Sequence, residues 1–220
     1  MAVENNNKNV TVLQNKSLLN LFTKIRDQTT SPKDFAFYAD RLMTVLAEET
    51  IGEIATEQVT VHTPCAAFDG TNLDVSKVCA VSIIRAGDSL LDCVRKLLPG
   101  VSVGKILIQR DESKADKPAI MYYSKLPPNV ANQTIILCDP MLATGGSAIK
   151  AIESLLEKGV KVENIVFSNV VSCPEGLNNL ARVYPEVRVV TASVDEGMNE
   201  DKFIVPGLGD YGDRYFNTVV

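Results

Sequence analysis

QTIILCDPMLATGGSAIKAIESLLEKG, residues 133–159, decides the fold. Its first half is a nearly continuous apolar run ending at one acid, Asp139. Its second half, SAIKAIESLLEKG, repeats apolar residues at helical spacing and stops at Gly159. A buried strand, a small-residue turn and an amphipathic helix therefore follow one another. The same alternation continues on both sides. KVCAVSIIRAG reads as strand then turn, DSLLDCVRKLLPG as helix and VGKILIQRDE as strand. Downstream, ENIVFSNVVS reads as strand, CPEGLNNLARVYP as helix and VRVVTASVDE as a last strand. Strands apolar on both faces, alternating with helices, imply a mostly parallel sheet flanked by helices, the doubly wound α/β class. Ligands of such sheets bind beyond the carboxyl ends of the strands.

Upstream, NKSLLNLFTKIRDQ places leucine, phenylalanine and isoleucine on one helical face. SPKDFAFYADRLMTVLAEETIGEI opens with Ser31 as a cap and Pro32 in the first turn. ATEQVTVHTP alternates β-branched residues and reads as a strand. One segment breaks the pattern: DESKADKPAIMYYSKLPPNVAN is charged, rich in proline and carries paired tyrosines. It reads as a protruding arm over the ligand end of the sheet, with packing between two copies as the alternative.

At 220 residues and 45% hydrophobic, the chain can bury one substantial core. A single domain over 1–220 is expected, with 1–16 as a flexible N-terminal segment. The net charge is −5 and the basic residues are scattered, which excludes a basic stripe for nucleic acid and a polybasic membrane patch. There is no signal-peptide pattern and no apolar run of spanning length, so a cytoplasmic protein is expected. Five cysteines without a C-x-x-C pair read as reduced, buried small hydrophobes. His62, the single histidine, reads as an ordinary strand residue rather than a general base.

The chemistry concentrates at three loops. Glycines let the 139–147 loop approach a ligand closely, the helix that follows offers free N–H groups, and Thr144 and Ser147 add hydroxyls. That is a phosphate cradle, of neither the G-x-x-x-x-G-K-[ST] nor the G-x-G-x-x-G kind. A turn of this composition also occurs where glycine and a capping serine serve the fold alone. Asp139 favours the ligand: a carboxylate there can accept hydrogen bonds from a sugar attached to the phosphate, so acid and cradle together suggest a ribose 5-phosphate. Arg85 in SIIRAGDS and Arg110 in ILIQRDE both end strands, where a guanidinium either suits phosphate oxygens or simply sits at the surface. IVPGLGDYGDRYF crowds Gly207, Gly209 and Gly212 around Pro206, which reads as a structural loop or as a backbone-lined pocket.

LCDPMLATGGSAIKAI resembles the phosphoribosyl diphosphate (PRPP) loop of the uracil phosphoribosyltransferases, the branch in which Asp-Pro, here Asp139-Pro140, stands where others place two acids. IIRAG (83–87), ILIQRDE (106–112), YYSKLP (122–127) and IVPGLGDYGDRYF (204–216) follow in the family's order, so the resemblance covers 17–220. It implies a type I phosphoribosyltransferase fold with a protruding arm and a C-terminal base-binding hood. It also implies transfer of the phosphoribosyl group of PRPP to uracil, giving UMP and diphosphate in pyrimidine salvage. On this resemblance Asp139, Pro140, Met141, Leu142, Ala143, Thr144, Gly145, Gly146 and Ser147 bind PRPP, and Arg85 and Arg110 reach its diphosphate. Main-chain groups at Ile204, Gly209 and Tyr211, together with Asp210, bind uracil; Asp210 also approaches PRPP and its metal, and Asp210, Arg85 and Arg110 form the catalytic set. Magnesium is expected to arrive with PRPP, near Asp210 rather than in a protein cage. The family also implies a homodimer or larger homo-oligomer and, for some members, a GTP effector. Tyr211 stands where many members have a small residue and others an aromatic, and Asn217 where glycine is common. The alternative is a non-catalytic nucleotide-sensing or RNA-binding regulator on the same fold. That would predict a basic face and a damaged diphosphate site, whereas this chain is acidic and keeps Arg85, Arg110, Asp139 and Asp210.

Overall fold

The computed structural model describes residues 9–110 and 119–218. In chain order its first elements are β1 (Val10–Val12), α1 (Lys16–Arg26), α2 (Pro32–Gly52), β2 (Glu57–His62) and β3 (Ala67–Asn72). Then come β4 (Val78–Ile84), α3 (Gly87–Leu97), β5 (Ser102–Arg110), β6 (Ala119–Lys125) and β7 (Thr134–Cys138). The rest is β8 (Met141–Leu142), α4 (Gly146–Leu156), β9 (Ile165–Ser172), α5 (Pro174–Val183), β10 (Arg188–Val194), β11 (Gly197–Met198), β12 (Ile204–Val205) and α6 (Tyr211–Phe216).

Local chemistry starts the helices where the sequence says it should. The Asp34 N–H donates to Ser31 Oγ at 3.2 Å, with Pro32 as the first helical residue of α2. Asn15 caps α1 by accepting from the Ser17 N–H at 2.9 Å. Leu18, Leu21, Phe22 and Ile25 then recur on one face of α1 and are all buried.

Among the described residues the main sheet has eight strands, in the order β1-β10-β9-β7-β4-β5-β6, with β8 pairing β9 off that path. All these pairings are parallel except β5 with β6. Every residue of β9, and all of β4 but Ile84, is buried, as expected for strands covered on both faces. Alternation along β4 divides the core. Val78 and Ala80 pack with α1, α2 and α3, while Cys79, Val81 and Ile83 pack with α4 and α5. From β4 the chain proceeds to β5 on one side, and from β7 it proceeds to β9 and β10 on the other. The switch point therefore lies between β4 and β7, whose carboxyl ends deliver Arg85 and Asp139 side by side.

Four expectations need adjustment. Within the 1–16 segment expected to be flexible, residues 10–12 form an edge strand parallel to β10 and Leu13 is buried; the β-branched V-T-V is masked by its asparagine-rich surroundings. Residues 1–8 lie outside the described residues. Of the segment read as an arm, 119–125 joins the main sheet as its antiparallel edge strand, with Tyr122 and Tyr123 exposed, and 111–118 lies outside the described residues. The separate hairpin is β2–β3, mostly exposed on both strands; AFDGTN in β3 gave no strand signal because Asp, Gly and Asn are poor strand formers. Finally, Cys65 is exposed, whereas Cys79, Cys93, Cys138 and Cys173 are buried as expected. Burial pushes the thiols of Cys79, Cys93 and Cys173 up to about 11, so none of the three supplies a thiolate near neutral pH.

After β10 the chain forms the hood. β11 and β12 pair antiparallel, and α6 lies on α2 through a Tyr215 hydroxyl bond to Asp40 Oδ1 at 2.6 Å. Asn217 ends α6 in the left-handed region, φ 54°. That conformation explains why glycine suits the position and why asparagine, the best-tolerated alternative, can replace it. Among the described residues no helix is long and apolar enough to cross a membrane.

Candidate active site

A cleft of about 780 Å³ opens at the carboxyl edge of the sheet, lined from three sides by Arg85–Ala86, by Asp139 with 141–148, and by 201–204 with 209–212. The second side is the turn after β7. Asp139 leaves the strand, and Pro140 is buried with its carbonyl accepting the N–H groups of Val170 (2.9 Å) and Val171 (3.0 Å). Pro140 therefore shapes the loop from behind and does not line the cleft, unlike Asp139 and residues 141–147. Met141 and Leu142 extend along β9 as β8, a short pairing hidden inside what reads as an irregular loop.

The turn itself needs glycine for two reasons. Gly145 has φ 81°, and at Gly176, at the start of α5, a Cβ would come within 2.5 Å of the Ala143 carbonyl oxygen. Asn179 Nδ2 holds the Thr144 carbonyl at 2.9 Å. Gly145, the N-cap of α4, has no side chain to cap it, and the Gly146 N–H makes only a long bond to Thr144 Oγ1 (3.4 Å), so the amino end presents backbone N–H groups and the positive end of its dipole to the cleft.

Arg85 follows β4. Its Nη2 donates to Asp213 Oδ1 at 2.6 Å, its Nη1 donates to Thr218 Oγ1 at 3.0 Å, and its guanidinium lies 5.6 Å from the Phe216 ring centroid. The side chain is about half exposed, 48%, and so is its partner at 42%. Arg110 ends β5, but its side chain lies outside the described residues. Gln109, one residue earlier, lines the cleft. Gly87 packs so tightly that a Cβ there would lie 2.2 Å from the Cys138 carbonyl oxygen, which makes the Arg85 turn and the Asp139 turn backbone neighbours.

On the third side Ile204, Gly209, Asp210 and Tyr211 all border the cleft. Asp210 is exposed and caps α6, its Oδ1 accepting the Asp213 N–H at 2.9 Å. Arg85 and Asp210 flank Gly212: an added Cβ would sit 3.4 Å from both Arg85 Nη2 and Asp210 Oδ1. The Tyr211 side chain points away into the core. It stacks on Tyr215 at 5.7 Å, meets the Phe35 edge at 5.4 Å and places its hydroxyl 3.2 Å from Ser89 Oγ. Burial raises its phenol well above the ordinary range. The Tyr211 ring therefore belongs to the core.

Sequence reasoning missed Gln109, Ala148, Asp201, Lys202 and Phe203. Asp201–Phe203 belong to the turn between β11 and β12, in which the Phe203 N–H donates to Asn199 Oδ1 at 2.9 Å and Lys202 takes φ 66°. The polar run N-E-D-K (199–202) was the available signal for that turn. His62, on the exposed β2, lies away from the cleft.

Residues 12–218 match the family model described as uracil phosphoribosyltransferase. The chain is 47% identical over 213 residues to the uracil phosphoribosyltransferase of Dictyostelium discoideum, covering 96% of this chain and 97% of that one. It is 44% identical over 211 residues to the uracil phosphoribosyltransferase of Saccharomyces cerevisiae, with 95% and 96% covered. Among solved structures, the AQ2163 protein of Aquifex aeolicus superimposes with TM-score 0.84 at 29% identity, covering 96% of this chain and 99% of that one. The adenine phosphoribosyl transferase of Trypanosoma brucei shares the fold at TM-score 0.58 and 13% identity, with 92% and 90% covered.

Proposed function

The chain belongs to the uracil phosphoribosyltransferase family, and from that premise we propose how its cleft transfers the phosphoribosyl group of PRPP to uracil, giving UMP and diphosphate. The observation that carries the assignment of roles is the convergence of three unlike surfaces on one cleft: a helix amino end beside Asp139, the Arg85 turn, and a glycine-rich backbone loop. The first suits a 5-phosphate and its ribose hydroxyls, the second a diphosphate, and the third a planar base.

In this reading the 141–147 turn and the amino end of α4 hold the 5-phosphate, and Asp139 accepts hydrogen bonds from the ribose hydroxyls. Arg85 and Arg110 take negative charge as diphosphate leaves C1. Positive charge develops on the ribose ring, and N1 of uracil attacks C1 and gives up its proton, to Asp210 or to water. Most of the rate then comes from positioning and from fixed charge, without a covalent nucleophile. Main-chain groups of Ile204, Gly209 and Tyr211 match the acceptor, donor, acceptor edge of uracil. Cytosine would leave buried groups mispaired, a strong basis for rejection.

Asp139, Asp201 and Asp210 supply carboxylates to the cleft, yet among the described residues no three acidic, histidine or cysteine side chains cluster as a metal cage. A sparse, all-oxygen donor set fits magnesium, which keeps most of its ligands as water and phosphate oxygens. Asp210 would hold it on the protein side. When bound, the ion neutralises charge on the departing diphosphate. A homodimer or larger homo-oligomer belongs to the same proposal, supported by the exposed Val61 and Phe68 on the β2–β3 hairpin.

Arg85 has to share or exchange Asp213 when a diphosphate arrives. Replacing Asp213 with asparagine is expected to lower KM for PRPP by about two- to fivefold, the scale of a half-exposed ion pair. Initial rates against PRPP concentration measure this, and a raised KM would mean that Asp213 orients Arg85 instead of competing for it.

The reaction is tested by mixing the protein with PRPP, magnesium and, separately, uracil, cytosine, orotate and hypoxanthine, then following diphosphate release. Release with uracil and not with the other three is expected. No release with uracil overturns the assignment.

A further inference from the structure

The base loop 204–210 has little regular structure: two strand residues, then Gly207 and Gly209 at φ 58° and 81°. Backbone that must present donors and acceptors in a fixed pattern needs support from outside, because small displacements break the match. The support comes from two arginines that do not line the cleft. Arg26, the last residue of α1, spans the Asp195 carboxylate with Nη1–Oδ2 and Nη2–Oδ1 both at 2.7 Å. The same Nη1 donates to the Gly207 carbonyl at 2.7 Å, and Asp195 Oδ2 accepts the Gly207 N–H at 2.9 Å. Ser193 Oγ closes the set, accepting from Arg26 Nη2 at 3.2 Å and donating to Asp195 Oδ1 at 3.0 Å.

One ion pair thus holds both main-chain polar groups of Gly207. Asp195 is 3% exposed and Arg26 22%, so the bidentate pair works largely out of water, where charge-assisted bonds are strong and directional. Burial opposes the Asp195 charge, but the bonds from Arg26, Gly207 and Ser193 outweigh it and hold its carboxyl below the usual range. Arg214 secures the following residue. Its Nη1 donates to the carbonyls of Leu208 (2.6 Å) and Ile25 (2.7 Å), and its Nη2 donates to that of Asp27 (2.7 Å). The carbonyls of Gly207 and Leu208 are therefore tied to the end of α1, and the next residue is Gly209, which faces the cleft.

We propose that Arg26 and Asp195 are positioning residues for the base: their ion pair sets the register in which Ile204 and Gly209 present backbone to uracil, and so governs base affinity without touching either substrate. This rests on the reading that the main chain of 204–211 binds uracil.

The test is steady-state kinetics with both substrates varied, on wild type, Arg26→Gln, Asp195→Asn, Arg26→Lys and the Arg26→Gln/Asp195→Asn double variant, together with melting temperatures. KM for uracil is expected to rise about tenfold in each of the first two variants, the worth of one charge-assisted hydrogen bond, with KM for PRPP changed less than about twofold. The double variant should be no worse than the worse single one, because loss of either partner already frees Gly207. Arg26→Lys should recover part of the uracil KM. If Arg26→Gln does not fold, Asp195→Asn and Ser193→Ala carry the test, the latter with a rise of about two- to threefold, the scale of one neutral hydrogen bond. A lower melting temperature with both KM values unchanged, or raised together, overturns the proposal and identifies a structural pair only. Failure of the wild type itself to use uracil overturns the base-site reading and this inference with it, a result distinct from unsplit KM values in the variants.

Discussion

Replacing Asp210 with asparagine is expected to cut turnover by about 10²–10⁴-fold, the range for removing a group that manages charge or a proton in the transition state, while the protein stays folded. The structure separates two jobs of this side chain. As a cap, Asp210 accepts the Asp213 N–H at 2.9 Å, and asparagine caps helices about as well as aspartate. What asparagine lacks is the charge. Losing that charge at the amino end of α6 costs about 0.3–1 kcal/mol through the helix dipole. For a chain of this size, that shifts the melting temperature by only a few degrees, roughly 2–4 °C per kcal/mol. The charge faces the cleft beside Arg85, with only Gly212 between them, where a carboxylate can hold magnesium or take the N1 proton of uracil. Turnover at saturating PRPP and uracil, read beside thermal melts, checks this. Turnover within about threefold of wild type would remove Asp210 from the reaction, since general acid or base work is worth far more.

What could be read from the sequence and what could not divides along a physical line. β4, β7 and β9 announce themselves because strands covered on both faces are mostly apolar. Ser31 and Pro32 announce α2 because capping is local chemistry. The small-residue turn was legible for the same reason: Thr144, Gly145, Gly146 and Ser147 lie within one turn of chain, and all four border the cleft. Contacts between distant residues left no such mark. Arg85 meets Asp213 across 128 positions and Arg26 meets Asp195 across 169, and no spacing rule connects either pair. The Tyr211 ring shows the same limit, since sequence placed it in the base-binding loop but could not say that its side chain turns back onto Phe35 and Ser89. β1 and β8 were missed because two or three paired residues are too few to show alternation.

Gly87→Ala should damage the protein severely, because the added methyl meets main chain that cannot move aside. The new Cβ would lie 2.2 Å from the Cys138 carbonyl oxygen and 3.4 Å from the Ser82 Cα. Those atoms belong to β7 and β4, paired in register at Ser82 and Cys138 and buried, so no side chain can swing aside to make room. Gly87 does not have positive φ, so the requirement is for space alone. Relief comes only by parting the ends of β4 and β7 or by lifting the 85–87 turn. Either movement carries Arg85 away from Asp139, the two sides of the cleft that in the proposed reading grip one substrate together. Overpacking of this kind costs about 1–3 kcal/mol, hence several degrees of melting temperature at roughly 2–4 °C per kcal/mol. A displacement of about 1 Å between groups that hold a substrate costs roughly 10²-fold in rate. The control is Gly52→Ala at the end of α2, where an added Cβ meets nothing within 4 Å; there melting temperature and turnover should stay at wild-type values. If Gly87→Ala melts and turns over like Gly52→Ala, β4 and β7 can separate without cost and their contact does not align the two halves of the site.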